Sequence, residues 1–159
     1  MIQTFIKTKE GSFFQQTTKN NSNKVTIKRR VIGMPVGILL IRWDDKLGTT
    51  LVAKYPDTFK FPSKILMNIY SQHRAQSTDP SFVTLTLTNM KISSFFSGMD
   101  ENFIGASNYI IALVHRRDEN PLIFRETLKK AAAKILKNVG EIKPEELEKV
   151  FFDMRALSK

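Results

Sequence analysis

The sequence predicts an α/β fold in which helices cover both faces of a β-sheet. Three observations carry this. Period-two and period-3.6 hydrophobic patterns follow one another in the order β-β-α-β-β-β-α-α between Pro35 and Leu157. Two segments, Val36 to Ile41 and Tyr109 to Val114, are continuously apolar for about six residues, as a strand buried on both faces requires. The remaining apolar residues fall largely into stripes at spacings of three and four, which are the buried sides of helices.

Taken in order, Val36-Gly37-Ile38-Leu39-Leu40-Ile41 is the first central strand. It runs into Arg42-Trp43-Asp44-Asp45-Lys46-Leu47-Gly48, where paired aspartates and a glycine form a reverse turn into a second strand, Thr49 to Tyr55. Ser63 is placed to cap a helix from Lys64 to about Gln76, with Ile65, Leu66, Ile69, Tyr70 and His73 on one side. Thr78-Asp79-Pro80 breaks the chain. Val83, Leu85 and Leu87 then alternate with Thr84, Thr86 and Thr88, the pattern of a third strand with one wet face near a sheet edge.

Lys91 to Ser97 and Asn108 to His115 supply the fourth and fifth strands, the fifth central by its unbroken apolar run. Pro121 suits a first helical turn, and Phe124, Leu128, Ala131, Ala132, Ile135 and Val139 form a stripe that Gly140 is placed to stop. Pro144, Glu145 and Glu146 open a last helix bearing Leu147, Val150, Phe151 and Met154 on one face.

A chain of 159 residues and 18.2 kDa fits one domain, and at this size roughly 70% of the unfolded surface is buried on folding. The composition, 42% hydrophobic and 25% charged, is that of a globular protein rather than a disordered one. The absence of cysteine excludes disulfides, a thiolate nucleophile and sulfur-rich zinc sites. Apolar runs of about six residues fall far short of the roughly 20 a membrane-spanning helix needs, and residues 1–14 do not read as a signal peptide. A cytoplasmic location, with peripheral contact at a membrane, is the simplest expectation.

The formal charge is +10, and residues 1–33 hold seven bases against one acid. They are read as a basic, partly flexible leader before a domain at 34–159, with Thr17 to Lys24 as a linker and short strand signals around Phe5, Ile6, Phe13 and Phe14. Lys28, Arg29 and Arg30 are its candidate contact with an anionic surface, whether lipid or nucleic acid.

Chemical motifs are sparse. His73 and His115 lie 42 positions apart and outside any paired-ligand motif, so no metal or cofactor site is expected. His73 reads as a structural cap residue in the last turn of its helix, where a partial positive charge is favourable, and His115 as solvated beside Arg116 and Arg117. No serine comes with an identifiable base and orienter, and Gly33-Met34-Pro35-Val36-Gly37 lacks the lysine of a phosphate-binding loop. Asp44 and Asp45 read as turn formers, and Arg116 to Asn120 as a solvated connection. Trp43 either closes the core at the hairpin mouth or anchors an interface.

The element order resembles that of longin domains, which are α/β/α sandwiches. The segments Gly37 to Asp44, Lys54-Tyr55-Pro56-Asp57, Ile65 to His73 and Ser93-Ser94-Phe95-Phe96-Ser97-Gly98 look like archaeal longin-like proteins. The resemblance implies a five-stranded mixed sheet in the order 2-1-5-4-3, with the two apolar strands adjacent in the middle and the threonine strand at an edge. It implies a non-enzymatic module that pairs with another longin or roadblock-like domain, as a homo- or heterodimer, or with a small GTPase in membrane trafficking or GTPase regulation. The candidate interface is Ile65, Ile69 and His73 on the first helix, Val83, Thr84, Thr86 and Thr88 on the third strand, and Trp43. Two rival readings stay open: nucleic-acid binding through the leader, and small-molecule sensing between sheet and helices. The basic leader departs from simple longins, which begin close to their first strand.

Overall fold

The structure, a computed structural model, describes residues 2–7, 13–18, 30–32 and 34–157, with side chains from 34 to 154. Three strands precede the body: β1 (Ile2–Lys7), β2 (Phe13–Thr18) and β3 (Arg30–Ile32), which form an antiparallel sheet in the order β1-β2-β3. Thr17 and Thr18 belong to β2, paired with Gln3 and Ile2, so the expected linker does not begin at Thr17. Threonine's β-branched side chain suits a strand as readily as a loop. The rest of that linker lies outside the described residues.

The body contains β4 (Gly37–Asp44), β5 (Gly48–Tyr55), α1 (Ser63–Gln76), β6 (Ser81–Thr86), β7 (Met90–Phe96), β8 (Tyr109–Arg116), α2 (Arg125–Leu136) and α3 (Pro144–Leu157). Its sheet has the order β5-β4-β8-β7-β6, which counted within the body is 2-1-5-4-3. The two continuously apolar strands, β4 and β8, lie side by side at the centre, and the threonine strand β6 is at an edge. The expected mixed sheet is corrected: every adjacent pair is antiparallel. The connection through α1 leads from one edge strand, β5, to the other, β6, so the strands that run in the same direction there never meet.

The pleat divides each central strand between two cores. Leu39, Ile41, Ile110, Ala112 and Val114 pack with Leu66, Ile69 and Tyr70 of α1. Ile38, Leu40, Ile111 and Leu113 pack with Leu128, Ala131, Ala132 and Ile135 of α2 and Leu147, Phe151 and Met154 of α3. This is the physical basis of the unbroken apolar runs: over Ile38 to Ile41 and Ile110 to Val114 neither face of the strand meets water.

Local details differ from the sequence expectation at three helix ends. Pro62, not Ser63, is the N-terminal cap of α1, and no side chain bonds there. Pro121 begins a short 3-10 turn, Pro121–Phe124, before α2 starts at Arg125. That turn is capped by Asn120, whose Oδ1 accepts the Leu122 N–H at 3.1 Å. Helix α2 stops at Leu136 rather than at Gly140, because Asn138 leaves the helical path at φ −125° and ψ 37°.

Candidate functional site

The two edges of the five-stranded sheet are not equivalent. On β5 the register with β4 slips between Leu40 and Ile41, so that Ala53 and Leu51 face them in turn and Val52 is the extra residue of a bulge, 45% exposed. Such bulges interrupt an edge and discourage further pairing. On β6 the register with β7 runs from Ser81↔Phe96 to Thr86↔Lys91 without interruption.

The direction of the β6 backbone follows from its ladder. The Leu87 N–H donates to the Met90 carbonyl at 2.8 Å, so these residues form a hydrogen-bonded pair. Because such pairs alternate along an antiparallel ladder, Leu85, Val83 and Ser81 also point their polar groups at β7. Phe82, Thr84 and Thr86 therefore aim their main-chain N–H and C=O groups outward, where among the described residues the sheet has no further strand. Thr84 and Thr86 are exposed, and Arg125 of α2 lies 5.7 Å over the Phe82 ring.

The edge is positioned by two devices. First, Gly98, just beyond β7, has φ +92°, and a Cβ there would stand 3.0 Å from Pro80 Cδ and 3.3 Å from the Thr78 carbonyl. Only glycine permits this approach, which is closed by the Met99 N–H donating to the same carbonyl at 2.9 Å. The entry to β6 is thereby held against the exit of β7. Second, His73 joins α1 to the sheet: its Nδ1 lies 2.8 Å from Ser81 Oγ and its Nε2 2.8 Å from Ser94 Oγ.

The Ser94 hydroxyl donates to the Val83 carbonyl at 3.5 Å. It therefore accepts from a protonated Nε2, leaving Nδ1 to accept from Ser81, an assignment made from the network. Burial holds the His73 pKa down at about 4. The imidazole is neutral at neutral pH, which corrects the expectation of a partial positive charge at this helix end.

A second histidine occupies the opposite face. Ser93 and Ser94 are neighbours on β7, so the pleat sends their side chains to opposite sides. Ser93 Oγ is 2.7 Å from His115 Nε2, and His115 Nδ1 is 3.3 Å from Glu119 Oε2. Among the described residues both Glu119 carboxylate oxygens and His115 Nδ1 lack a partner in hydrogen-bond geometry, although Lys91 Nζ donates to the Glu119 carbonyl at 3.1 Å. The expectation of a solvated His115 is corrected, since it is buried; the Arg116 to Asn120 connection is exposed except at Glu119, which is buried.

This serine-histidine-carboxylate connectivity has the order used in acyl transfer, and the sequence reading missed it. Serine and histidine meet only through strand pairing, across 22 positions. Ser93 is 0% exposed, so its hydroxyl presents nothing to a substrate. Among the described residues no group of three or more His, Asp or Glu side chains is placed to hold a metal ion.

The remaining sequence-predicted residues divide by exposure. Ile69, His73 and Val83 are buried and serve the chain's own core; Ile65 is half-buried, and Thr84, Thr86 and Thr88 are exposed. Thr88 falls in the turn after β6 rather than within it. Trp43 closes the hairpin mouth: its ring stacks on Tyr70 at 4.2 Å and 2°, and its Nε1–H donates to Asp45 Oδ1 at 3.0 Å. Asp44 is the turn former, its Oδ1 accepting the N–H groups of Lys46 at 2.8 Å and Leu47 at 3.0 Å, and these bonds hold its carboxyl below the ordinary range.

Gly48, at φ +75°, completes that turn. Arg30 lies in β3 by its backbone; Lys28, Arg29 and the Arg30 side chain are outside the described residues. Among the described residues no helix is long and apolar enough to cross a membrane. No protein-family model and no curated protein matches the chain.

Proposed function

We propose that the chain is a non-enzymatic interaction module of longin type, which pairs through β6 and the adjoining side of α1 with another longin or roadblock-like domain or with a small GTPase. The observation that carries this reading is the asymmetry of the sheet edges. A bulge interrupts β5, whereas β6 is regular, lined by exposed threonines and directs the main-chain groups of Phe82, Thr84 and Thr86 away from the sheet. A partner strand added there gains main-chain hydrogen bonds.

The sheet order, with α1 on one face and α2 and α3 on the other, agrees with a longin-type sandwich. The enclosure of Ser93 argues against hydrolytic chemistry at its histidine.

Affinity capture from native lysate, with GDP or a non-hydrolysable GTP analogue added, tests the reading. It predicts retention of a longin or roadblock-like protein, or of a small GTPase in one nucleotide state. A chain that stays monomeric and retains neither in any nucleotide state overturns it.

A further inference from the structure

The tetrapeptide Pro121-Leu122-Ile123-Phe124 is apolar throughout, yet it is split between core and solvent. Pro121 is buried and Phe124 is 2% exposed, with its ring 5.0 Å from that of His115. Leu122 and Ile123 are 61% and 51% exposed. Since both flanking residues are seated in the core and Asn120 caps the turn, the two exposed side chains cannot withdraw inward without unseating Phe124. They form a fixed apolar wedge.

The wedge stands in a cationic surround. On α2 the exposed charged side chains following the wedge are Arg125, Lys129, Lys130 and Lys134, with Lys137 just past its end, against the single acid Glu126. Lys134 has only a loose partner, Asp153 at 3.9 Å, with both side chains largely in water. On the other side of the wedge lie exposed Arg116 and Arg117, with one acid, Asp118.

We propose that this face docks on a lipid bilayer carrying anionic headgroups. Leu122 and Ile123 enter the boundary between headgroups and acyl chains, and the α2 bases meet the lipid phosphates and carboxylates. A bilayer fits the arrangement because it offers a laterally uniform negative surface over an apolar layer. The wedge needs no shaped pocket there, and bases spread along a helix need no fixed set of partners. The inference is independent of strand pairing at β6 and assigns the surface contact to α2 in addition to the leader.

Vesicle flotation tests it, using phosphatidylcholine alone and phosphatidylcholine with a third of phosphatidylserine. All proteins carry Lys28→Ala, Arg29→Ala and Arg30→Ala, so that the leader's bases do not mask the result. The parent binds only the anionic vesicles. Leu122→Ser with Ile123→Ser weakens binding about tenfold, and Lys129→Glu with Lys130→Glu weakens it at least as much and in a salt-dependent way.

The altered side chains are exposed, and circular dichroism checks that each variant is folded. As the chain has no cysteine, Ile123→Cys provides a unique site for an environment-sensitive dye, whose emission shifts to the blue on the anionic vesicles. Absence of vesicle binding overturns the proposal. So does undiminished binding by the serine variant, or a bound dye that stays in water. Retention of an acidic soluble protein without vesicle binding assigns the face to a protein partner and overturns it as well.

Discussion

His73 Nε2 lies 2.8 Å from Ser94 Oγ, joining the last turns of α1 to β7 through a fully buried contact. With Ser81 on Nδ1, the same ring spans helix, edge strand and inner strand, so the position of the β6 edge depends on a neutral imidazole.

That dependence predicts acid sensitivity. Burial lowers the His73 pKa from 6.5 to about 4, so between these values the unfolded chain binds the proton that the folded chain refuses. The contribution is fully present above the unfolded pKa and declines as pH falls toward the folded one. Near pH 4 the loss reaches about 3 kcal/mol. Urea midpoints measured near neutrality and near pH 5 should differ more for the parent than for His73→Gln. Equal sensitivity in the two proteins would place the acid response elsewhere.

Gly98→Ala should destabilise the fold by about 2 kcal/mol, since it combines a left-handed backbone with a Cβ pressed against Pro80. Gly140→Ala, where a Cβ meets nothing within 4 Å, is the control and should be close to neutral. Chemical denaturation of both variants decides the matter.

The stack of Trp43 on Tyr70 joins the hairpin mouth to α1. In a double-mutant cycle with Trp43→Leu and Tyr70→Leu, a coupling of about 1 kcal/mol is expected beyond the cost of lost burial. Additive single effects would reduce the stack to independent packing.

Ser93 has the hydrogen-bond neighbours of a nucleophile but no surface. The native protein should therefore take no adduct at Ser93 from an organophosphorus reagent, as read by mass spectrometry of its peptides. Labelling of Ser93 in the folded protein would show that the enclosure opens and would restore a hydrolytic reading.

The parts of this structure legible in the sequence are those where one residue reports its own environment. Six apolar residues in a row at Val36 and at Tyr109 have to be covered on both faces, and both strands are central. Alternating threonines at 84, 86 and 88 need a wet side, and β6 is an edge. Asp44, followed by Leu47 and Gly48, can form a turn from local bonds alone.

The environments of His115 and Glu119 were not legible, because their burial depends on strand pairing with Ser93 and on Phe124 packing over the ring. The Val52 bulge was equally hidden, since a bulged strand keeps an ordinary composition while its register slips. The sequence places Phe124 in a buried stripe but gives Leu122 and Ile123 no side, and only the turn geometry shows that these two stand in water.

The central claim is that a partner is held at the β6 edge, and parallel capture by the parent and by Thr84→Pro tests it most directly. Proline at this position removes an outward N–H but no bond to β7, so the sheet keeps its ladder while its edge loses a donor. Retention of a longin or roadblock-like protein or a nucleotide-dependent GTPase by the parent, with a loss of about tenfold or more for the folded Thr84→Pro protein, is the predicted result. Equal capture by both proteins, or by neither, would contradict it.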